Sequence, residues 1–97
     1  MPKTKTESAI FQIAASPNAI SAATFKAHHW NYDSNNKVIN HREEQPVSGV
    51  VLLSRILDAW KDPEHFTVTT DASWLHIYIR FTSAQFPGYS ETWYSIV

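Results

Sequence analysis

Apolar residues recur at helical spacing along residues 49–61. Ser48, just before this segment, is a favourable N-cap, and Pro63, just after it, cannot continue a helix. On a helical wheel the apolar arc is centred on five side chains, with Leu52 and Ala59 at its margin. The five are Val50, Leu53, Ile56, Leu57 and Trp60. We therefore predict a helix over residues 49–61 that packs across a sheet through this arc.

Two segments after the helix, residues 65–71 and 74–82, alternate between apolar and polar positions. Both are rich in β-branched and aromatic residues, which is typical of strands. Because the side chains of a strand alternate between its faces, a connection of even length keeps the apolar positions on one face. The connection contains no glycine, which favours a four-residue loop over a two-residue one. The predicted cross-strand pairs are Phe66 with Ile79, Val68 with Ile77, and Thr70 with Leu75.

The first half of the chain predicts another hairpin, formed by residues 24–32 and 36–43. The residues between the two strands, Asp, Ser, Asn and Asn at 33–36, favour a tight reversal. A connection of even length is again the consistent choice. The predicted pairs are Tyr32 with Lys37, Trp30 with Ile39, and His28 with His41.

Two further segments complete the predicted elements. A terminal strand runs from about Tyr89 to Val97, after a turn at Pro87 and Gly88. Residues 16–22 begin with Ser-Pro, which fits either a short helical turn or a simple turn.

The chain has 97 residues, which allows one hydrophobic core and not two. We predict a flexible N-terminus over residues 1–7 and a single α+β domain over residues 8–97. The domain has a mainly antiparallel sheet of four to six strands with the helix on one face.

Composition and charge exclude several classes of function. The absence of cysteine excludes disulfides and thiolate metal sites, and the two glycines cannot form a phosphate-binding loop. The formal net charge of −1 lacks the basic excess of a general nucleic-acid binder. The charge is unevenly distributed along the chain. Residues 1–42 have five basic and two acidic residues, whereas residues 43–97 have three basic and seven acidic residues. No stretch fits a signal peptide or a membrane span, so we expect a soluble, cytoplasmic protein.

The even register places an unusual set of side chains on the sheet face opposite the predicted helix. Polar side chains normally cover such a face, but here it has two aromatic residues, a histidine and an arginine. Aromatic residues and arginine are enriched where proteins bind one another. We predict a partner-binding surface formed by Trp74, His76, Tyr78 and Arg80, with Trp30 and Tyr32 from the first hairpin. The alternative for Trp74 and Tyr78 is a second small core under the N-terminal hairpin or the C-terminal tail.

These features predict a small non-enzymatic protein-binding module of the adaptor, immunity or inhibitor type. Its partner is another protein or a second copy of the chain, and no cofactor or metal is expected. One alternative is single-stranded nucleic acid stacked on the same face, although no RNP-type motif is present. Another is a small ribonuclease that uses His28 and His41 with Lys26, or a metal site at the two histidines with Glu43 or Glu44. No tight ligand or catalytic spacing supports either of these.

Overall fold

The structure of this chain, a computed structural model, describes residues 13, 15, 17–71 and 76–97. The predictions for residues 1–7, Trp74 and Leu75 therefore lie outside the described residues. Two helices and one antiparallel sheet form the described fold, which confirms the α+β prediction. The helices are α1 (Pro17–Ala22) and α2 (Gly49–Trp60). The strands are β1 (Thr24–Tyr32), β2 (Val38–Ser48), β3 (Phe66–Asp71), β4 (His76–Ser83) and β5 (Phe86–Ile96).

The sheet has five strands in the order β2-β1-β5-β4-β3, and every neighbouring pair is antiparallel. The first and last of the described strands, β1 and β5, are therefore neighbours near the centre of the sheet. Strands β2 and β3 form its two edges. No helix of the described residues is long and apolar enough to span a membrane.

Helix α2 begins and ends where the sequence predicts, but it buries a different face. The Ser48 side chain accepts a hydrogen bond from the backbone N–H of Val51 at 3.3 Å, which confirms the N-cap. The buried positions are Gly49, Leu52, Ile56 and Ala59. Of the residues predicted at the centre of the arc, Ile56 is buried and Leu53 is partly buried against the core, whereas Val50, Leu57 and Trp60 are exposed.

The reason for this rotation is a close approach between the two helices. The backbone N–H of Gly49 donates to the carbonyl of Ala23 at 2.8 Å, and the space beside its Cα is taken by the Ile20 carbonyl. A side chain at position 49 would prevent this approach. The glycine therefore turns α2 so that Leu52 and Ala59 face the core, and larger apolar side chains face outward.

The hydrophobic core lies between the helices and one side of the sheet. Its largest fully buried side chains are Phe25, Ile20, Leu52, Ile77 and Val68. Ile77 and Ile79 of β4 point into this core, as the predicted parity requires.

The predicted strand registers were wrong by two residues in β3 and β4 and along most of the first hairpin, and by one residue at Tyr32. In β3 and β4, Phe66 pairs with Phe81, Val68 with Ile79 and Thr70 with Ile77. In β1 and β2, Trp30 pairs with His41, His28 with Glu43 and Tyr32 with Val38. A shift of two residues leaves the side chains on their predicted faces. In the first hairpin, an irregularity between Asn31 and Tyr32 goes with a connection of five residues, 33–37, so the prediction of an even length was wrong there.

Two predictions at turns also changed. Strand β5 begins at Phe86, so Pro87 and Gly88 lie within the strand and not in a turn before it. Residues 17–22 form the short helix α1, which selects the helical alternative for this segment. The turn at 33–36 is as predicted, with the Asp33 carboxylate accepting from the N–H groups of Asn35 and Lys37 at 2.8 and 3.0 Å.

A charged contact ties α2 to the sheet. The Arg55 Nη1 atom donates to both carboxylate oxygens of Glu44, at 3.0 and 3.1 Å, and to the Tyr94 hydroxyl at 3.1 Å. This hydrogen bond holds the pKa of Glu44 below, and that of Arg55 above, their ordinary values. Burial raises the pKa of Tyr94, so its hydroxyl stays protonated as an acceptor for Arg55.

We expect Glu44→Gln to lower the free energy of unfolding by about 1–3 kcal/mol at neutral pH, because a charged hydrogen-bond acceptor is lost. The carboxylate is stabilised in the folded state, so its contribution is complete above the ordinary pKa of 4.5 and disappears as the pH falls through the lower folded pKa. Urea unfolding from neutral to acidic pH should therefore show wild type and variant converging.

The matched control is Glu43→Gln. Glu43 lies 3.1 Å from Lys26 in an ion pair whose two side chains are about half exposed, so the loss should be below about 1 kcal/mol. A difference between Glu44→Gln and wild type that stays constant across this pH range would contradict the role assigned to the carboxylate.

Candidate functional site

The side of the sheet opposite the core has no described helix over it, and we call it the open face. Helix α2 packs on the other side, and α1 contacts α2. The open-face side chains come from positions that alternate with the buried ones. They include Lys26, His28, Trp30 and Tyr32 of β1, His41 and Glu43 of β2, His76, Tyr78 and Arg80 of β4, and Tyr89, Glu91 and Trp93 of β5.

A row of rings crosses four strands of the open face, and we call it the aromatic strip. It crosses the sheet from Tyr78 on β4 through Trp93 on β5 and Trp30 on β1 to His41 on β2, and it ends on His28, which lies on β1 beside His41. The Tyr78 ring meets Trp93 edge-on at 6.2 Å between centroids, and Trp93 lies 5.0 Å from Trp30. Trp30 stacks on His41 at 4.0 Å, and His41 stacks on His28 at 5.2 Å. Each ring is thus held by the next, which fixes the shape of the strip before any partner binds.

A second group of rings lies beside the strip on the open face. Tyr32 stacks on Tyr89 with 4.6 Å between centroids, and the Arg80 guanidinium carbon lies 4.6 Å from the Tyr89 ring centre. Burial raises the pKa of the Tyr32 hydroxyl, and the nearby Glu91 carboxylate raises it further. The neutral phenol is therefore favoured at this position.

The cations of the open face are paired with carboxylates on the same face. Lys26 lies 3.1 Å from Glu43, and Arg80 Nη2 lies 2.8 Å from Glu91. Glu91 also accepts a hydrogen bond from the indole N–H of Trp93. Little uncompensated charge is left on the surface around the strip.

The indole nitrogen of Trp30 is buried and has no hydrogen-bond partner among the described residues. The ring is therefore positioned by stacking between Trp93 and His41, and not by a hydrogen bond of its own.

The structure brings together most of the predicted partner-binding residues. His76, Tyr78 and Arg80 alternate along β4 on the open face, and Trp30 and Tyr32 lie on the same face of β1. His76 and Arg80 are exposed, whereas the three aromatic side chains are partly buried. The N-terminal hairpin extends the sheet at its edge instead of lying over Tyr78, so the described residues form no second core there.

Two central members of the face, Trp93 and Tyr89, were missed by sequence reasoning. Their strand was predicted, and its alternation placed Tyr89, Glu91 and Trp93 on one side. Which side that is depends on the neighbours of β5, and these are β1 and β4. The pairs Tyr78 with Trp93 and Tyr32 with Tyr89 make this assignment.

The histidines of the first hairpin do meet, although in a different register from the predicted one. His28 Nδ1 and His41 Nε2 lie 3.0 Å apart and share a hydrogen bond. Lys26, the third member of the ribonuclease alternative, is engaged by Glu43. No group of three or more His, Asp or Glu side chains within the described ranges is placed to hold a metal ion.

Comparison with known proteins adds no relative. No protein-family model matches the chain, no curated protein is similar to it, and no solved structure shares its fold closely enough to match. The function must therefore be inferred from the geometry of the site.

Proposed function

We propose that this protein is a small non-enzymatic protein-binding module of the adaptor, immunity or inhibitor type, which binds through its open face. The occupant that we assign to this face is a second copy of the chain. The observation that carries the proposal is the aromatic strip, a preorganised row of rings over four strands with no described helix above it. Rigid aromatic side chains provide contact area at a low entropic cost, which is why they dominate binding hot spots.

The size of the face supports a protein partner. Five strands at the usual spacing span about 24 Å, and a strand of eight residues, such as β4, is about 26 Å long. The molecule is flat, with extents of 38 × 37 × 21 Å. A surface of this size approaches the ~800 Å² that each partner buries in a standard stable interface.

Charge favours a second copy over a nucleic acid. Lys26 and Arg80 are already paired with carboxylates, so they are poorly available to phosphate groups. The formal net charge of −1 also means that two copies repel each other only weakly.

The test is the mass of the protein in solution, measured by light scattering and sedimentation over a wide range of concentrations. We expect a dimer, and we expect Trp93→Ala and Tyr78→Ala each to weaken it by at least about 30-fold, because hot-spot residues contribute about 2 kcal/mol or more. Near-ultraviolet circular dichroism establishes that each variant is folded. Tyr78 lies at the end of the strip, so its truncation leaves the Trp93–Trp30 contact in place.

The matched control is Leu57→Ser on the opposite side of the molecule. Leu57 is 51% exposed and belongs to the outward apolar side of α2, which is the competing surface for self-association. This control should leave the dimer intact. If the wild type is a monomer at the highest concentration, a second copy is not the occupant of the open face. The same conclusion follows if Leu57→Ser dissociates the dimer and the open-face variants do not.

We also propose a reducing, cytoplasmic location. The absence of cysteine from the whole sequence supports it, because small proteins of oxidising compartments commonly rely on disulfides.

A further inference from the structure

The helix side of the sheet changes from apolar to polar partway along β1 and β5. On β1 the inward positions Phe25 and Ala27 are fully buried, and the next inward position is His29. On β5 the buried Tyr94 is preceded by Thr92 on the same side. The hydrophobic core thus ends at this point, although the strands continue beyond it.

A cavity of about 350 Å³ lies over the polar half. We call it the polar cleft, and the helix-side residues that line it are His29, Asn31, Asn40, Arg42, Ser90 and Thr92. They are on one side of the sheet because they are direct cross-strand partners: His29 is opposite both Arg42 and Thr92, and Asn31 is opposite both Asn40 and Ser90. Trp30, His41 and Glu91 also line the cavity, although their positions alternate with these six and belong to the open face.

Two of the lining residues, His29 and Thr92, are linked by hydrogen bonds to Glu44, which also forms an ion pair with Arg55. The His29 Nε2 atom lies 3.3 Å from Glu44, and its Nδ1 atom lies 3.0 Å from the Thr92 hydroxyl. A carboxylate only accepts hydrogen bonds, so Nε2 carries the proton. In the neutral imidazole Nδ1 then accepts from the Thr92 hydroxyl, and all three groups are fixed in position.

A second chain of hydrogen bonds fixes the other wall. The Ser90 hydroxyl donates to Asn31 Oδ1 at 2.6 Å, and Asn31 Nδ2 donates to Asn40 Oδ1 at 2.6 Å. The amide nitrogen of Asn40 is left with its donors unused by the described residues. This is a fixed donor at the mouth of the cleft.

The cleft also has an excess of positive charge. Glu44, which lies behind it, is neutralised by Arg55, and Glu91, which also lines it, is neutralised by Arg80. Arg42, which is exposed on the edge strand opposite His29, has no ion pair with any residue in the described ranges. The Arg42 guanidinium and the Asn40 side-chain amide thus provide N–H donors at one site. These donors have no acceptor among the described residues.

We propose that the polar cleft is a binding site for the oxyanion group of a small metabolite, either a carboxylate or a phosphate. Arginine matches both groups because its planar N–H donors fit two oxygens at once. The volume is at the lower end of the range for small-molecule sites, which fits a small metabolite and not a polymer. The donors of Arg42 and Asn40 lie on the helix side of the sheet and are exposed, so binding by them does not require dimerisation through the open face.

The test is a titration of the ¹⁵N-labelled full chain at low ionic strength, with succinate and inorganic phosphate as separate probes. We expect saturable shifts centred on the backbone amides of Asn40, Arg42 and Thr92 with at least one probe. Arg42→Gln should raise the dissociation constant at least about tenfold, since a charged hydrogen bond is lost. Saturation by succinate alone identifies a carboxylate site, and saturation by phosphate alone identifies a phosphate site.

The matched control is Lys61→Gln, which removes an exposed cation on α2. It should leave the dissociation constant unchanged. Arg42 is exposed, so its variant should fold, and the amide spectrum checks this directly. An absence of saturation with both probes, or equal affinity in Arg42→Gln and wild type, would overturn the proposal.

Discussion

Leu52→Ala is expected to lower the free energy of unfolding by about 2–5 kcal/mol. Leu52 has no exposed surface and packs between α2 and the sheet, in the same core as Phe25 and Ile77. Truncation removes its contacts and leaves a cavity that the surrounding strands cannot fill without moving. In a domain of this size, such a loss is a large part of the total stability.

The matched control for this prediction is Leu57→Ala on the same helix. The substitution is identical and so is the change in helix propensity, but 51% of Leu57 is exposed. Its loss should cost less than about 1 kcal/mol. Urea unfolding measures both variants, at protein concentrations low enough that self-association would not contribute. Equal effects, or a larger one at Leu57, would mean that α2 packs through the face predicted from its apolar pattern.

Gly49→Ala is expected to lower the free energy of unfolding by about 3 kcal/mol. In an ordinary helix the same change stabilises by about 1 kcal/mol, because alanine is the better helix former. Here the new Cβ atom would lie 1.6 Å from the Ile20 carbonyl oxygen, and this oxygen belongs to rigid backbone. The two helices must separate, which disturbs the hydrogen bond from the Gly49 N–H to Ala23 and the burial of Ile20.

Ser54→Ala provides the control for helix propensity. Ser54 is an exposed interior position of α2, so its replacement should stabilise the protein by a few tenths of a kcal/mol. Thermal and urea unfolding of the two variants should therefore move in opposite directions. If Gly49→Ala were also stabilising, the close approach of α1 and α2 would be refuted.

The local features of this fold could be read from the sequence because each depends on a few neighbouring residues. Ser48 and Pro63 mark the ends of α2 through backbone chemistry that needs no tertiary contact. The alternation of β4 assigns Ile77 to the core and Tyr78 to the other face whatever its partner strand is. This is why His76, Tyr78 and Arg80 were placed together correctly.

The candidate site could be predicted only in part, because its rings come from strands that are far apart in the sequence. Trp30 and Tyr78 come from different hairpins, and the sequence does not show that Trp93 lies between them. The strip becomes continuous only because β5 pairs with β1 on one side and β4 on the other. The polar cleft likewise needs residues from β1, β2 and β5, none of which forms a motif along the chain.

Local periodicity in the sequence predicted α2, most of each strand and the side chains of a strand that share a face. The tertiary structure decided the strand registers, the order of the sheet and the buried side of α2. The apolar side chains of α2 form a wide arc, so the apolar pattern alone does not set the centre of the buried face. The choice is made by the fit of backbone to backbone at Gly49, a contact with Ile20 that exists only once the helices have packed.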